Sequence, residues 1–155
     1  HDALPIWGET INTPSMLCVA DYVDALDWAE EIGGLPALMA RADANFATLQ
    51  DWADRSDWIE NLVAEPAHRS NTSVCLRIAD PAVTALDEAG QRAFVKDMVA
   101  LLEREGAAFD VNGYRDAPPG LRIWCGATVE TGDIEALTPW LDWAFATVRA
   151  EKAAA

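Results

Sequence analysis

Two adjacent glycines, Gly33 and Gly34, separate two stretches whose apolar residues recur at helical spacing. The first stretch covers residues 19–26, and the second is a longer apolar stripe over residues 35–53. Glycine often ends a helix because it adopts the left-handed backbone conformation without a steric penalty. The pattern therefore predicts two successive helices that meet at a hinge between two bodies of the molecule.

Strand and helix patterns follow each other along the rest of the chain. Residues 57–70 have no clear pattern, and alternation of apolar residues begins after them. The predicted elements from there are a strand at 71–78, a helix at 94–105, strands at 107–111 and 121–125, and a helix at 133–149. The order β-α-β-β-α predicts an α+β fold, a small sandwich whose helices cover one face of a sheet.

The polar side of the second helical stripe gives a prediction about burial. Arg41, Asp43 and Asn45 fall outside the apolar stripe. Residues on the polar side of an amphipathic helix normally face solvent. We therefore expect these three side chains to lie outside the hydrophobic core.

Composition limits the partners of the chain. With 26 acidic and 11 basic residues among 155, the formal net charge is -15. Such a field repels nucleic acid and anionic membranes, so neither is expected as a partner. An anionic ligand would instead need a local cluster of arginines.

The cysteines and histidines point to no metal or disulfide framework. Cys18, Cys75 and Cys125 are far apart in the sequence, odd in number and without CxxC spacing. His68 stands alone beside an arginine, so no metal site is predicted. Free thiols are typical of a reducing compartment, which predicts a cytoplasmic location.

Asn12 and Thr13 precede the first predicted helix. Free backbone N–H groups, an amide and a hydroxyl at a helix start are suited to bind an anion such as phosphate. The alternative is purely structural: a Thr or Ser side chain caps the helix and Pro14 occupies its first turn. On the local sequence alone, the structural alternative is favoured.

Arg115 and Arg122 flank a Pro-Pro-Gly corner that is expected to bring them together. In the last predicted strand, Arg122 points away from the apolar face, so it lies on the side that the helices leave bare. Two guanidiniums side by side can hold a dianion or a carboxylate through forked hydrogen bonds. The alternative is that each pairs with a nearby acid, Asp110 or Asp116.

Three segments together resemble phosphoserine aminotransferase. They are residues 9–17 (ETINTPSML), 69–75 (RSNTSVC) and 114–124 (YRDAPPGLRIW). The likeness is to the alpha-proteobacterial branch, and it runs from about Gly8 to the end. It implies the C-terminal part of a fold-type I, class V aminotransferase that uses pyridoxal phosphate. Such an enzyme transfers an amino group from glutamate to 3-phosphohydroxypyruvate during serine biosynthesis, and it is a homodimer.

The resemblance assigns roles to particular residues. Asn12 and Thr13 match residues that reach the cofactor phosphate of the neighbouring subunit. Arg122 matches the arginine that binds the substrate α-carboxylate, and Arg115 matches one that helps to bind the distal phosphate or carboxylate. Tyr114 stands where many relatives have histidine, so it would donate a hydrogen bond without a charge.

The resemblance also implies a division of the chain and an inactive fragment. Residues 1–7 are expected to be a non-native leader, 8–34 the end of the large domain with its connecting helix, and 35–155 the small domain. The chain has only two lysines, Lys96 and Lys152, and neither matches the Schiff-base lysine of the family. We therefore expect no catalytic residue in this chain and no activity from it alone.

Two other interpretations stay open at this point. One is another class V aminotransferase, such as an alanine-glyoxylate or serine-glyoxylate enzyme. The other is a non-enzymatic acidic module that binds a small carboxylate or mediates dimerisation. Only a fragment of a larger enzyme would leave a large apolar surface bare on the first two helices.

Overall fold

The computed structural model of the chain describes residues 13–154. Contacts divide the chain into two compact units, His1–Leu38 and Met39–Ala155. The predicted leader, residues 1–7, and the predicted cofactor residue Asn12 lie outside the described residues. The assignment of 8–34 and 35–155 to two domains of a larger protein stays a prediction.

The first unit consists mainly of helix α1, Met16–Glu31. Ser15 caps it, and its hydroxyl accepts a hydrogen bond from the Cys18 N–H at 3.4 Å. Pro14 lies before the cap and not in the first turn, so that detail of the capping alternative is wrong. Gly33 has a left-handed φ of 112°, and the break that we predicted at the glycine pair is confirmed.

Seven helices and strands are described after α1, in the order helix, strand, strand, helix, helix, strand, helix. They are α2 Gly34–Arg55, β1 Ile59–Asn61, β2 Ser73–Ile78, α3 Pro81–Thr84, α4 Glu88–Arg104, β3 Leu121–Trp124 and α5 Thr131–Ala153, with one 3₁₀ turn at Pro66–His68. None of the helices described is both long and apolar enough to cross a membrane.

The strands form an antiparallel sheet with the order β1-β2-β3. Ile59 pairs with Ile78, and Leu76 pairs with Leu121. Alternation buries one face of the sheet, and the buried side chains join those of α2, α4 and α5 in one core. The predicted α+β fold, with helices on one face of a small sheet, is confirmed.

One strand lies elsewhere than predicted. Residues 107–111 form no strand; beyond them, Asn112 makes a single bridge to Leu121. Gly106 and Asp110 both have left-handed φ values, 68° and 54°, which interrupt an extended backbone. The third strand is instead β1, which is too short to show a period in the sequence.

Asn45 is buried, so the prediction that it lies outside the core is wrong. Its Nδ2 donates to the Val129 carbonyl at 2.9 Å, and its Oδ1 accepts from the Thr131 hydroxyl at 2.7 Å. Arg41 donates from Nε to the Ala127 carbonyl of the same loop, at 2.7 Å. The backbone carbonyl groups of the loop after β3 need hydrogen-bond donors, and Asn45 supplies one. Asn45 is therefore buried although it lies outside the apolar stripe of α2.

Candidate functional site

Arg122 lies on the sheet face that the helices leave uncovered. Leu121 and Ile123, its neighbours in β3, are both buried in the core. The Arg122 side chain points the other way, yet only 16% of it is exposed. Its Nη2 donates to Asp110 Oδ2 at 2.9 Å.

The guanidinium of Arg122 has an unused donor. Its Nε is buried and has no hydrogen-bond partner, the one such side-chain nitrogen or oxygen found within residues 13–154. Buried polar groups in proteins nearly always have partners, so an unpaired N–H marks a place for a further acceptor. The structure therefore contains a charged donor that lacks an acceptor.

Tyr114 packs against the same guanidinium. The Cζ atom of Arg122 lies 4.6 Å from the centre of the Tyr114 ring, a cation–π distance. The hydrogen bond from Gly113 N–H to the Gly120 carbonyl, 3.0 Å, closes the loop that brings residue 114 beside β3. The ring thus packs against the guanidinium at cation–π distance.

Gly120 permits this loop to approach the sheet. A Cβ atom at that position would lie 2.1 Å from the Leu76 carbonyl oxygen in β2, far inside van der Waals contact. The backbone can therefore follow this path only without a side chain at residue 120. The corner that positions Tyr114 and Arg122 depends on it.

Arg115 is placed very differently from Arg122. Its side chain is 92% exposed, and its Nε lies 3.3 Å from Asp116 Oδ1. Each arginine is thus tied to its own carboxylate, which is the alternative that the sequence left open. The structure brings Arg122 and Tyr114 together but joins Arg115 to neither by an ion pair or hydrogen bond. The ligand roles of all three residues stay predictions.

A cavity of about 230 Å³ lies beside the loop and includes residues that the sequence did not suggest. Tyr114 and Arg115 line it together with Arg92 and Lys96 of α4. Arg92 donates to Glu88 at 2.7 Å and to the Ala117 carbonyl at 2.8 Å. The spacing of Arg92 and Lys96, four residues apart on one helix face, was the available signal.

Of the two predicted cofactor residues, the structure describes one. Thr13 is exposed and lies two residues before the Ser15 cap of α1, whereas Asn12 lies outside the described residues. Lys96 is exposed, and Lys152 is paired with Asp97 at 2.7 Å. Neither lysine lies in an environment suited to covalent catalysis.

Comparison with known proteins gives one consistent result. The chain is 42% identical over 142 residues to phosphoserine aminotransferase from Methanosarcina mazei, covering 92% of this chain and 36% of that protein. This chain is related to phosphoserine aminotransferase. The corresponding protein of Methanosarcina barkeri matches equally, with 42% identity and the same coverage. The chain spans about a third of the length of these curated relatives.

Solved structures of phosphoserine aminotransferase share the fold. The enzyme from Bacillus circulans subsp. alkalophilus matches with a TM-score of 0.72 and 23% identity, over 88% of this chain and 34% of that one. A pyridoxal-phosphate-bound enzyme from Trichomonas vaginalis matches with a TM-score of 0.70 and 19% identity, over 86% and 34%. No protein-family profile matches the chain. The alpha-proteobacterial affinity remains a prediction.

Proposed function

We propose that this chain is the C-terminal part of a phosphoserine aminotransferase, which transfers an amino group from glutamate to 3-phosphohydroxypyruvate in serine biosynthesis. The relatives named above are phosphoserine aminotransferases, and this favours that activity over the other class V reactions. Within this proposal residues 8–34 end the large domain and 35–155 form the small domain of a cytoplasmic homodimer. The observation that carries the proposal is the mostly buried Arg122 guanidinium, whose Nε has no hydrogen-bond partner.

Arg122 has the properties of a carboxylate-binding residue. Its guanidinium is mostly buried, its Nε has no partner, and the Tyr114 ring packs against it. Arginine binds carboxylates through two parallel N–H···O bonds, and low exposure to water strengthens them. We assign to Arg122 the α-carboxylate of both amino-acid and oxo-acid substrates.

Arg115 and Tyr114 are assigned to the distal group of the substrate. Arg115 is exposed beside a cavity that also contains Lys96 and Arg92, so positive charge is concentrated there in an otherwise acidic chain. A phosphate or a second carboxylate would find charged donors at this place. Tyr114 contributes a phenolic donor and the ring that packs against Arg122.

The described residues fit only the phosphate end of a pyridoxal phosphate cofactor. The exposed Thr13 hydroxyl and the first-turn N–H groups of α1 are suitable donors for that phosphate, and we assign Asn12 to the same site. Pyridoxal phosphate, when bound, withdraws electrons from the substrate's α-carbon. The lysine that moves the proton is not supplied by this chain.

Helix α1 supports the fragment interpretation over a free-standing module. None of its residues is buried, and Met16 is 78% exposed. Its exposed large apolar side chains are Met16, Leu17, Val19, Tyr22, Val23, Leu26 and Trp28. An apolar surface of this kind is typical of an interface. In the complete protein we expect the large domain and the second subunit to cover it.

The absence of the lysine is tested by titrating the purified chain with pyridoxal phosphate. We expect no lysine-dependent absorbance band and no transfer of the amino group from glutamate. A stable band together with turnover would show that this chain has a catalytic lysine, and the proposal would then be wrong.

The role of Arg122 is tested in the protein expressed from the complete gene. Arg122→Lys should lower kcat/KM for glutamate by on the order of 100-fold, because a lysine cannot make the forked contact. Arg77→Lys is the matched control, since Arg77 lies on β2, exposed, and pairs with Glu60. Equal effects of the two substitutions would remove the carboxylate role of Arg122.

A further inference from the structure

Asp110, the partner of Arg122, has an unusual conformation for its position. Its φ of 54° lies in the left-handed region, the one non-glycine residue with a positive φ within the described chain. Aspartate tolerates this conformation better than most residues, but it is still uncommon. The side chain is 87% exposed while it contacts a guanidinium that is mostly buried.

Asp110 accepts a hydrogen bond from only one of the two parallel N–H groups on one edge of the Arg122 guanidinium. The Nε–H and one Nη2–H of arginine are parallel and lie on one edge, which is the edge that a carboxylate binds with both oxygens. Asp110 accepts from Nη2 at 2.9 Å, and Nε has no acceptor. Asp110 therefore occupies half of a two-point site and leaves the other half unsatisfied.

We propose that Asp110 is an internal substitute for the substrate carboxylate. In this inference, which rests on the proposed function, Asp110 pairs with Arg122 while the site is empty. An incoming carboxylate accepts from both Nε and Nη2, and the Asp110 side chain moves out to solvent. Asp110 is a specificity-determining residue, and the ligand class is a carboxylate that presents two oxygens on one edge.

The surroundings of Asp110 permit this exchange. The side chain is exposed, the preceding Phe109 is exposed too, and the segment belongs to no strand. The Arg122 backbone N–H donates to the Val111 carbonyl at 2.9 Å, which anchors the next residue to β3. The Asp110 side chain can therefore leave the guanidinium while the segment stays attached to the sheet.

The exchange also explains selectivity among anions. A ligand must replace an existing charge-assisted hydrogen bond, so an anion with a single contact point gains little. A carboxylate gains the unused Nε–H as well. Asp110 thus lowers the affinity for all anions, and the loss is smallest for an anion that presents two oxygens on one edge, as a carboxylate does.

The test compares the 155-residue chain with its Asp110→Asn variant. Asparagine keeps the size of the side chain and adopts left-handed backbone readily, but it lacks the competing charge. Acetate is titrated at constant ionic strength against chloride, and the Arg122 Nε–H signal is followed by NMR. Its assignment comes from its loss in Arg122→Lys. We expect Asp110→Asn to bind acetate about tenfold more tightly, since the competing state is removed.

Asp57→Asn is the matched control for the change in net charge. Asp57 is exposed and precedes β1, which lies at the sheet edge opposite to β3. It should bind acetate as the unchanged chain does. Equal or weaker affinity in Asp110→Asn would overturn the exchange while leaving Arg122 as a carboxylate site. No response of Arg122 in either protein would overturn the carboxylate role and the exchange with it.

Discussion

The two units of the chain differ in the burial of their apolar residues. Helix α1 in the first unit has no buried residue. The second unit gathers apolar side chains from α2, all three strands, α4 and α5 into one buried cluster. Buried apolar area is the main source of folding free energy, so the second unit has its own hydrophobic core to stabilise it. Under the proposed function, the exposed apolar side chains of α1 would contact the rest of the enzyme.

Truncating one leucine in each unit should give the largest difference. Leu141 of α5 is fully buried in the core, and its replacement by alanine should cost about 2–5 kcal/mol in the free energy of unfolding. Leu26→Ala in α1 removes an exposed side chain and should cost less than about 0.5 kcal/mol. Urea unfolding followed by tryptophan fluorescence measures both. Similar costs would mean that α1 packs in solution.

A methyl group at Gly120 tests how tightly the second unit is built around the site. The Cβ of Gly120→Ala would collide with the Leu76 carbonyl, which belongs to the backbone of β2 and cannot move aside. We expect a loss of about 1–3 kcal/mol. Gly132→Ala is the control, because a Cβ there has no neighbour within 4 Å. Equal thermal midpoints for the two variants would contradict the close approach.

The three long helices of the second unit could be predicted because their apolar stripes are long, whereas the four-residue helix α3 was not predicted. The apolar periods of α2, α4 and α5 each extend over several turns, so local sequence decides them. β1 could not be predicted, since three residues contain no period and its pairing partner Ile78 is 19 positions from Ile59. The left-handed Asp110 was equally hidden, because aspartate is also common in ordinary backbone conformations.

The site could be predicted only in part for the same reason. Alternation along β3 placed Arg122 on the bare face correctly. Its acid partner, Asp110, was one of two candidates, and Tyr114 as a ring beneath the guanidinium depends on the path of the loop. That path is set by contacts between residues far apart in sequence, such as Gly120 with Leu76.

The buried Cys125 of the second unit predicts a pH dependence of the unfolding free energy. Burial raises the pKa of the Cys125 thiol to about 12 from an ordinary value of 9.0, whereas Cys18 is exposed in α1. Above pH 9 the unfolded chain releases the Cys125 proton and the folded chain keeps it. The stability that this thiol contributes is therefore complete below pH 9 and is lost between pH 9 and about 12.

The measurement is the unfolding free energy between pH 8 and 10.5 for the chain and for Cys125→Ala. The chain should lose stability more steeply than the variant, by at most about 1.4 kcal/mol per pH unit. Parallel pH profiles for the chain and for Cys125→Ala would contradict the burial of Cys125.

The smallest effect is expected at the cap of α1. Ser15→Ala removes the acceptor of the Cys18 N–H, and the long distance of 3.4 Å places the cost near about 0.5 kcal/mol, the low end for caps. Hydrogen exchange should become about twofold faster in the first turn of α1. Exchange in α4 and α5 should not change, since their amides depend on the core of the second unit. If the substitution instead accelerated exchange in α4 and α5 as well, α1 would contribute to the stability of that core, and the contrast between a self-contained unit and a helix that needs a partner would not hold.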